Sequence, residues 1–143
     1  MAQRIIKQKA IFLDRDGTLI RQCADIVRPS QLRILKNAPE GLRLMRELGY
    51  RLLVISNQPV IGKGFIDHKG VTELHDVLNM KLAKRGGHVD AFYVCPHRHW
   101  DTCSCRKPKL GLVRRGIQRF RISARDSFFI GDSFRDVQTG KNA

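Results

Sequence analysis

At 143 residues, 42% hydrophobic and 28% charged, the chain has the size and composition of one compact globular domain, not of a disordered, collagen-like or repeat protein. No apolar run approaches the roughly 20 residues of a bilayer span, and the segment before Asp14 lacks a small-residue cleavage site, so a soluble cytoplasmic domain is expected. Lys and Arg number 27 against 13 for Asp and Glu, a formal charge of +14, which points to nucleic acid, an anionic surface or phosphorylated small molecules, or equally to a solvated basic surface.

Short apolar runs separated by amphipathic stretches follow the rhythm of an α/β fold. Ala10-Ile11-Phe12-Leu13 reads as a buried parallel strand ending at Asp14. Ile20 to Lys36 reads as a loop or flap. Pro39 to Leu48, with Leu42, Met45 and Leu48 at helical spacing, predicts a helix stopped by Gly49. Leu52 to Ile55 is a second strand ending at Ser56. Val71, Leu74, Leu78 and Leu82 form the stripe of a helix from about Lys69 to Arg85, closed by Gly86-Gly87. Ala91 to Val94 is a third strand ending at Cys95, Leu110 to Phe120 a basic helix, and Ser127 to Ile130 a fourth strand ending at Gly131-Asp132. In an open parallel sheet the carboxyl ends of all strands share one rim, where ligands bind. Asp14, Ser56, the cysteine segment and Asp132 are therefore expected to gather there.

Asp14-Arg15-Asp16-Gly17-Thr18 places two carboxylates two residues apart beyond a buried strand, so that one can attack phosphorus while the other handles the proton. Gly131-Asp132-Ser133-Phe134-Arg135-Asp136 adds distant acids. Clustered carboxylates repel, and a hard divalent ion such as Mg²⁺ with oxygen ligands would relieve that and clamp a phosphoryl group.

In order along the chain, Asp14-x-Asp16-Gly17-Thr18, Ser56, Lys107 and Gly131-Asp132-x-x-x-Asp136 resemble the four motifs of the haloacid dehalogenase superfamily of aspartate-nucleophile phosphatases. The resemblance covers essentially the whole chain. It implies a Rossmann-like parallel sheet with a minimal cap, and Asp14 as the nucleophile that becomes an aspartyl phosphate. Asp16 would protonate the leaving oxygen and then activate water. Mg²⁺ would be held by the Asp14 carboxylate, the Asp16 carbonyl and Asp132. Ser56 and Lys107 would bind phosphoryl oxygens, and Asp136 would stand behind them, orienting Lys107 or a metal-bound water.

Cys95-Pro96-His97-Arg98-His99-Trp100-Asp101-Thr102-Cys103-Ser104-Cys105 gathers three thiols and two imidazoles. Three thiolates and one imidazole make a closed tetrahedral Zn²⁺ site of structural type. His99 rivals His97 as the fourth ligand, with the Cys-x-His spacing favouring His97. Followed by Arg106-Lys107-Pro108-Lys109, this loop resembles the branch of heptose bisphosphate and histidinol-phosphate phosphatases, in which zinc pins the loop carrying the phosphate-binding lysine. That resemblance implies Cys95, His97, Cys103 and Cys105 as the zinc ligands and Arg106 as a substrate contact. Ser56-Asn57-Gln58-x-x-Ile61 is similar to the heptose enzymes, with Arg15, Asn57 and Gln58 as further substrate contacts. The short gap between His97 and Cys103 leans toward the histidinol-phosphate side, whereas a basic rim suits a bisphosphorylated sugar better.

The expected function is thus Mg²⁺-dependent hydrolysis of a phosphomonoester, D-glycero-D-manno-heptose 1,7-bisphosphate being favoured over histidinol phosphate. A nucleic-acid 3′-end phosphatase is the reading that +14 suggests. The expected sheet order is strand four, one, two, three. Because family members continue through another strand and helix, the chain is expected to lack that C-terminal pair. Ser127 to Ile130 would then be an open edge, through which the chain would self-associate or join the rest of a longer protein.

Overall fold

The computed structural model describes residues 7–143. Four parallel strands, β1 (Ala10–Leu13), β2 (Arg51–Asn57), β3 (Ala91–Cys95) and β4 (Phe128–Ile130), form one sheet in the order β3-β2-β1-β4, as expected. The helices are α1 (Ala38–Glu47), α2 (Pro59–Gly62), α3 (His68–Ala83), α4 (Gly111–Phe120) and α5 (Phe134–Asn142). None of them is long and apolar enough to cross a membrane.

The central strands are apolar on both faces because both are covered. On one side Ile11, Leu13, Leu52 and Val54 meet Leu42 of α1 and Leu74, Leu78 and Leu82 of α3. On the other, Ala10, Phe12, Leu53 and Ile55 meet Leu112 and Val113 of α4. The α3 N-terminus is capped by the Asp67 carboxylate, which accepts from the Gly70 amide at 2.7 Å and so satisfies one of the unpaired first-turn N–H groups. The outer strand β4 leaves Phe128 60% and Ile130 42% exposed, while Phe129 stacks on Phe12.

Three features depart from the sequence reading. β2 extends two residues beyond Ile55, because Ser56 and Asn57 still pair with Val94 and Cys95 of β3. A single helical turn, α2, opens at Pro59, whose fixed φ suits a first helical position. The segment from Ile20 to Lys36 is not a free flap. Ile20, Ile26 and Leu32 are buried in the first core cluster, and Ile20 bridges to Ile34 in antiparallel fashion.

Candidate active site

Backbone hydrogen bonds hold the strand ends together at the carboxyl rim. The Asp14 amide donates to the Ile130 carbonyl at 2.9 Å, and the Gln58 amide to the Cys95 carbonyl at 2.8 Å. Asp14, Asp16, Lys107, Asp132 and Asp136 thereby line one cleft of about 280 Å³. Gly17 is needed at its floor: its φ is +80°, and a Cβ there would overlap the Asp132 carboxylate.

Lys107 is the centre of the charge arrangement. The residue is 4% exposed, and its ammonium donates to Asp14 Oδ1 at 2.8 Å and to Asp136 Oδ1 at 2.7 Å. Asp136 sits in the first turn of α5, where its other oxygen accepts from the Ser133 amide and hydroxyl at 3.2 and 2.9 Å. The capping box that starts the helix therefore also fixes the carboxylate behind Lys107. Burial raises the Asp14 carboxyl to about 6, against the opposing pull of Lys107. Carboxylate oxygens of Asp14, Asp132 and Asp136 lie within 4.8 Å of one another, and Asp132 makes no ion pair among the described residues. Such an all-oxygen, anionic donor set suits a hard divalent cation.

Asp16 is gripped from two sides. The Arg15 guanidinium donates from Nε and Nη2 to its two oxygens, both at 3.1 Å, and Gln58 Nε2 donates to Oδ2 at 2.9 Å. The same Gln58 amide donates to Ser56 Oγ at 2.7 Å. Arg15, Asn57 and Gln58 line the cleft, and each expected contact residue also has partners within the protein. Arg15, expected to touch substrate, is 1% exposed and backs Asp16; its third contact is His75 Nε2 at 3.2 Å. Ser56 is wholly buried, with Gln58 as its partner. Asn57 holds the Lys107 main chain at both N–H and carbonyl. Arg106 donates to the His97 carbonyl at 3.1 Å and contacts the His99 ring at 3.0 Å, strapping the loop instead of lining the cleft.

Sequence reasoning passes over His75, and also Gln22, Asp25 and Arg135, which line the cleft. Asp25 is held at 2.9 Å by Lys63, the residue that caps the end of α2. A histidine four residues after Val71, on the buried face of an amphipathic helix, is the legible sign of the first.

Cys95, His97, Cys103 and Cys105 come together in the loop after β3, their ligand atoms all within 4.8 Å. The sulfur pairs Cys95–Cys105 and Cys95–Cys103 are 3.2 and 3.9 Å apart, and His97 Nδ1 stands 3.4 and 3.3 Å from Cys95 and Cys105. A tetrahedral site with metal–sulfur bonds of about 2.3 Å needs edges near ~3.7 Å, so these separations fit zinc. The Arg106 amide donates to Cys103 Sγ at 3.4 Å, as amides do toward bound thiolates. His99 stands outside the cluster.

A parallel α/β sheet with an aspartate pair, a buried lysine and a distant acid at its carboxyl rim defines a phosphatase of the haloacid dehalogenase superfamily. Comparison with known proteins agrees. The profile of the polynucleotide kinase 3 phosphatase family matches residues 9–142. The chain is 34% identical to the D-glycero-beta-D-manno-heptose-1,7-bisphosphate 7-phosphatase of Pasteurella multocida, over 95% of this chain and 77% of that protein. It is 35% identical to the protein of the same name from Helicobacter pylori strain J99, over 97% and 80%. The crystal structure of D,D-heptose 1,7-bisphosphate phosphatase from B. bronchiseptica, complexed with magnesium and phosphate, superposes with a TM-score of 0.86 at 30% identity, covering 94% of this chain and 75% of that one. The chain belongs to this family of haloacid dehalogenase-type phosphatases.

Proposed function

We propose that the chain hydrolyses a phosphomonoester through an aspartyl-phosphate intermediate, with D-glycero-D-manno-heptose 1,7-bisphosphate as substrate and loss of the 7-phosphate. The observation that carries the chemistry is the contact of Lys107 Nζ with Asp14 Oδ1 at 2.8 Å, which puts a buried cation beside the nucleophile. The names of the relatives carry the choice of sugar.

An Asp14 oxygen attacks phosphorus as the bond to the sugar oxygen breaks, and the departing oxygen takes a proton from Asp16. Asp16 then accepts a proton from water as that water attacks the phosphorus of the aspartyl phosphate, regenerating Asp14 and releasing inorganic phosphate. Lys107 stabilises the negative charge on the transferring group, and Asp136 holds it in register. Asp14, Asp132 and the Asp16 carbonyl would hold Mg²⁺, which supplies charge neutralisation and a template for the phosphoryl oxygens. Zinc on Cys95, His97, Cys103 and Cys105 would serve structure alone, fixing the backbone two residues before Lys107.

The description of the matched family and the charge of +14 favour one competing substrate, a 3′-phosphorylated nucleic acid. Initial rates on heptose bisphosphate, histidinol phosphate and a 3′-phosphorylated oligonucleotide decide. The proposal expects the highest kcat/KM on the heptose, and a higher value on either rival overturns the choice of substrate.

A further inference from the structure

We propose that His75 is a positioning residue for proton transfer by Asp16, acting through Arg15. This rests on the reading of Asp16 as the group that carries the proton. His75 lies on the buried face of α3, 4% exposed, between Val71, Leu74 and Leu78. Its ring stacks on Phe92 of β3 with centroids 4.3 Å apart and planes 14° from parallel. Its one side-chain hydrogen-bond partner among the described residues is Arg15 Nη1, at 3.2 Å.

Burial first, and then the Arg15 charge, hold the imidazole down at about 3, so the ring is neutral. Arg15 has only donors, so His75 Nε2 is the acceptor and the ring proton resides on Nδ1. The guanidinium is then fixed at three of its corners: Nη1 on His75, Nε and Nη2 on the two oxygens of Asp16. A bidentate fork transmits orientation, because rotating the guanidinium breaks both bonds to the carboxylate. The stack on Phe92 sets the plane of the ring, and so the direction of its lone pair.

The bland alternative is a histidine that merely fills the core. An apolar side chain would fill that space without desolvating an imidazole, but it would leave Arg15 Nη1 without its one acceptor among the described residues. What His75 supplies is therefore directional.

The two roles separate on leaving group. An alkyl phosphate must gain a proton as it departs, whereas p-nitrophenolate leaves without one. With Asp16→Asn, kcat/KM should fall about 100- to 10,000-fold on an alkyl phosphate and far less on p-nitrophenyl phosphate. With His75→Leu it should fall about 10- to 100-fold on the alkyl ester, yet stay within about threefold of wild type on the nitrophenyl ester. His75→Gln, whose amide oxygen can accept from Arg15, should recover most of the loss. Should His75→Leu fail to melt as a folded protein, Phe92→Leu takes its place, with a smaller ester-dependent loss expected. Equal losses on both esters, or no loss on either, overturn the role of His75 while the Asp16 arm still shows its dependence. If Asp16→Asn itself shows none, the assignment of Asp16 has failed instead.

Discussion

Asn57 grips the main chain of Lys107 at both its N–H and its carbonyl. The Lys107 N–H donates to Asn57 Oδ1 at 3.0 Å, and Asn57 Nδ2 donates to the Lys107 carbonyl at 3.3 Å, joining residues 50 apart in sequence. Asn57 ends β2, and Cys105, two residues before Lys107, belongs to the cysteine cluster. Lys107 is thus held from the sheet on one side and the cysteine loop on the other. Asn57→Ala should lower kcat/KM about 10- to 100-fold without removing any group that touches the phosphoryl. Steady-state kinetics check this, and thermal melting should show a loss of about 1–2 kcal/mol for the two hydrogen bonds.

Asp14→Asn should abolish turnover, because an amide does not attack phosphorus; single-turnover assays with radiolabelled substrate should find no hydroxylamine-labile phosphoprotein. The same change should stabilise the fold in Mg²⁺-free buffer. The folded carboxyl titrates at about 6 against 3.8 as its ordinary value, because burial opposes its charge. A raised folded value means that stability is full below 3.8 and is lost as pH rises through about 6. Asparagine escapes that loss, so at pH 7.5 the variant should be more stable by roughly 2–3 kcal/mol in chemical denaturation.

Protein purified without chelators should contain about one zinc per chain by elemental analysis. Cys103→Ala should lower that content and reduce activity by about 10-fold or more, since the loop fixes Lys107. Zinc-free wild type with full activity would show that the loop holds Lys107 without metal.

His75 gives stability a pH dependence of the opposite sign to that of Asp14. Its folded value near 3 lies below the ordinary 6.5, so the unfolded chain takes up a proton that the folded one refuses. Stability is full above 6.5 and declines as pH falls toward about 3. At pH 5 the loss is about 2 kcal/mol. His75→Gln should lack this component, and the difference between variant and wild type in urea melts at pH 7.5 and 5 isolates it from Asp14.

The sheet is legible in the sequence because each strand is a continuous apolar run whose covered faces leave no alternative. The rim follows, since parallel strands bring their polar ends together. The cysteine cluster is legible from spacing alone, down to the preference for His97 over His99. What escapes are roles set by partners distant in sequence. Asn57, Gln58 and Arg15, expected to face substrate, line the cleft, but their other partners are remote: Lys107 lies 50 residues from Asn57, and His75 lies 60 from Arg15. The segment after Ile20 reads as a flap because its buried residues, Ile26 and Leu32, show no local period. Only the packed core supplies their neighbours.

Arg15, 1% exposed, is a guanidinium with almost no access to water, and its charge is met by Asp16. Removing that carboxylate strands a buried cation, at a cost of about 3–5 kcal/mol, whereas Asp14 is a carboxylate the fold would be firmer without. Two aspartates in one pentapeptide are therefore of opposite kinds. In Mg²⁺-free buffer, thermal melts of purified variants should move in opposite directions, up for Asp14→Asn and down for Asp16→Ala. The sign of the shift would then tell the two carboxylates apart without a substrate-bound structure or a trapped intermediate.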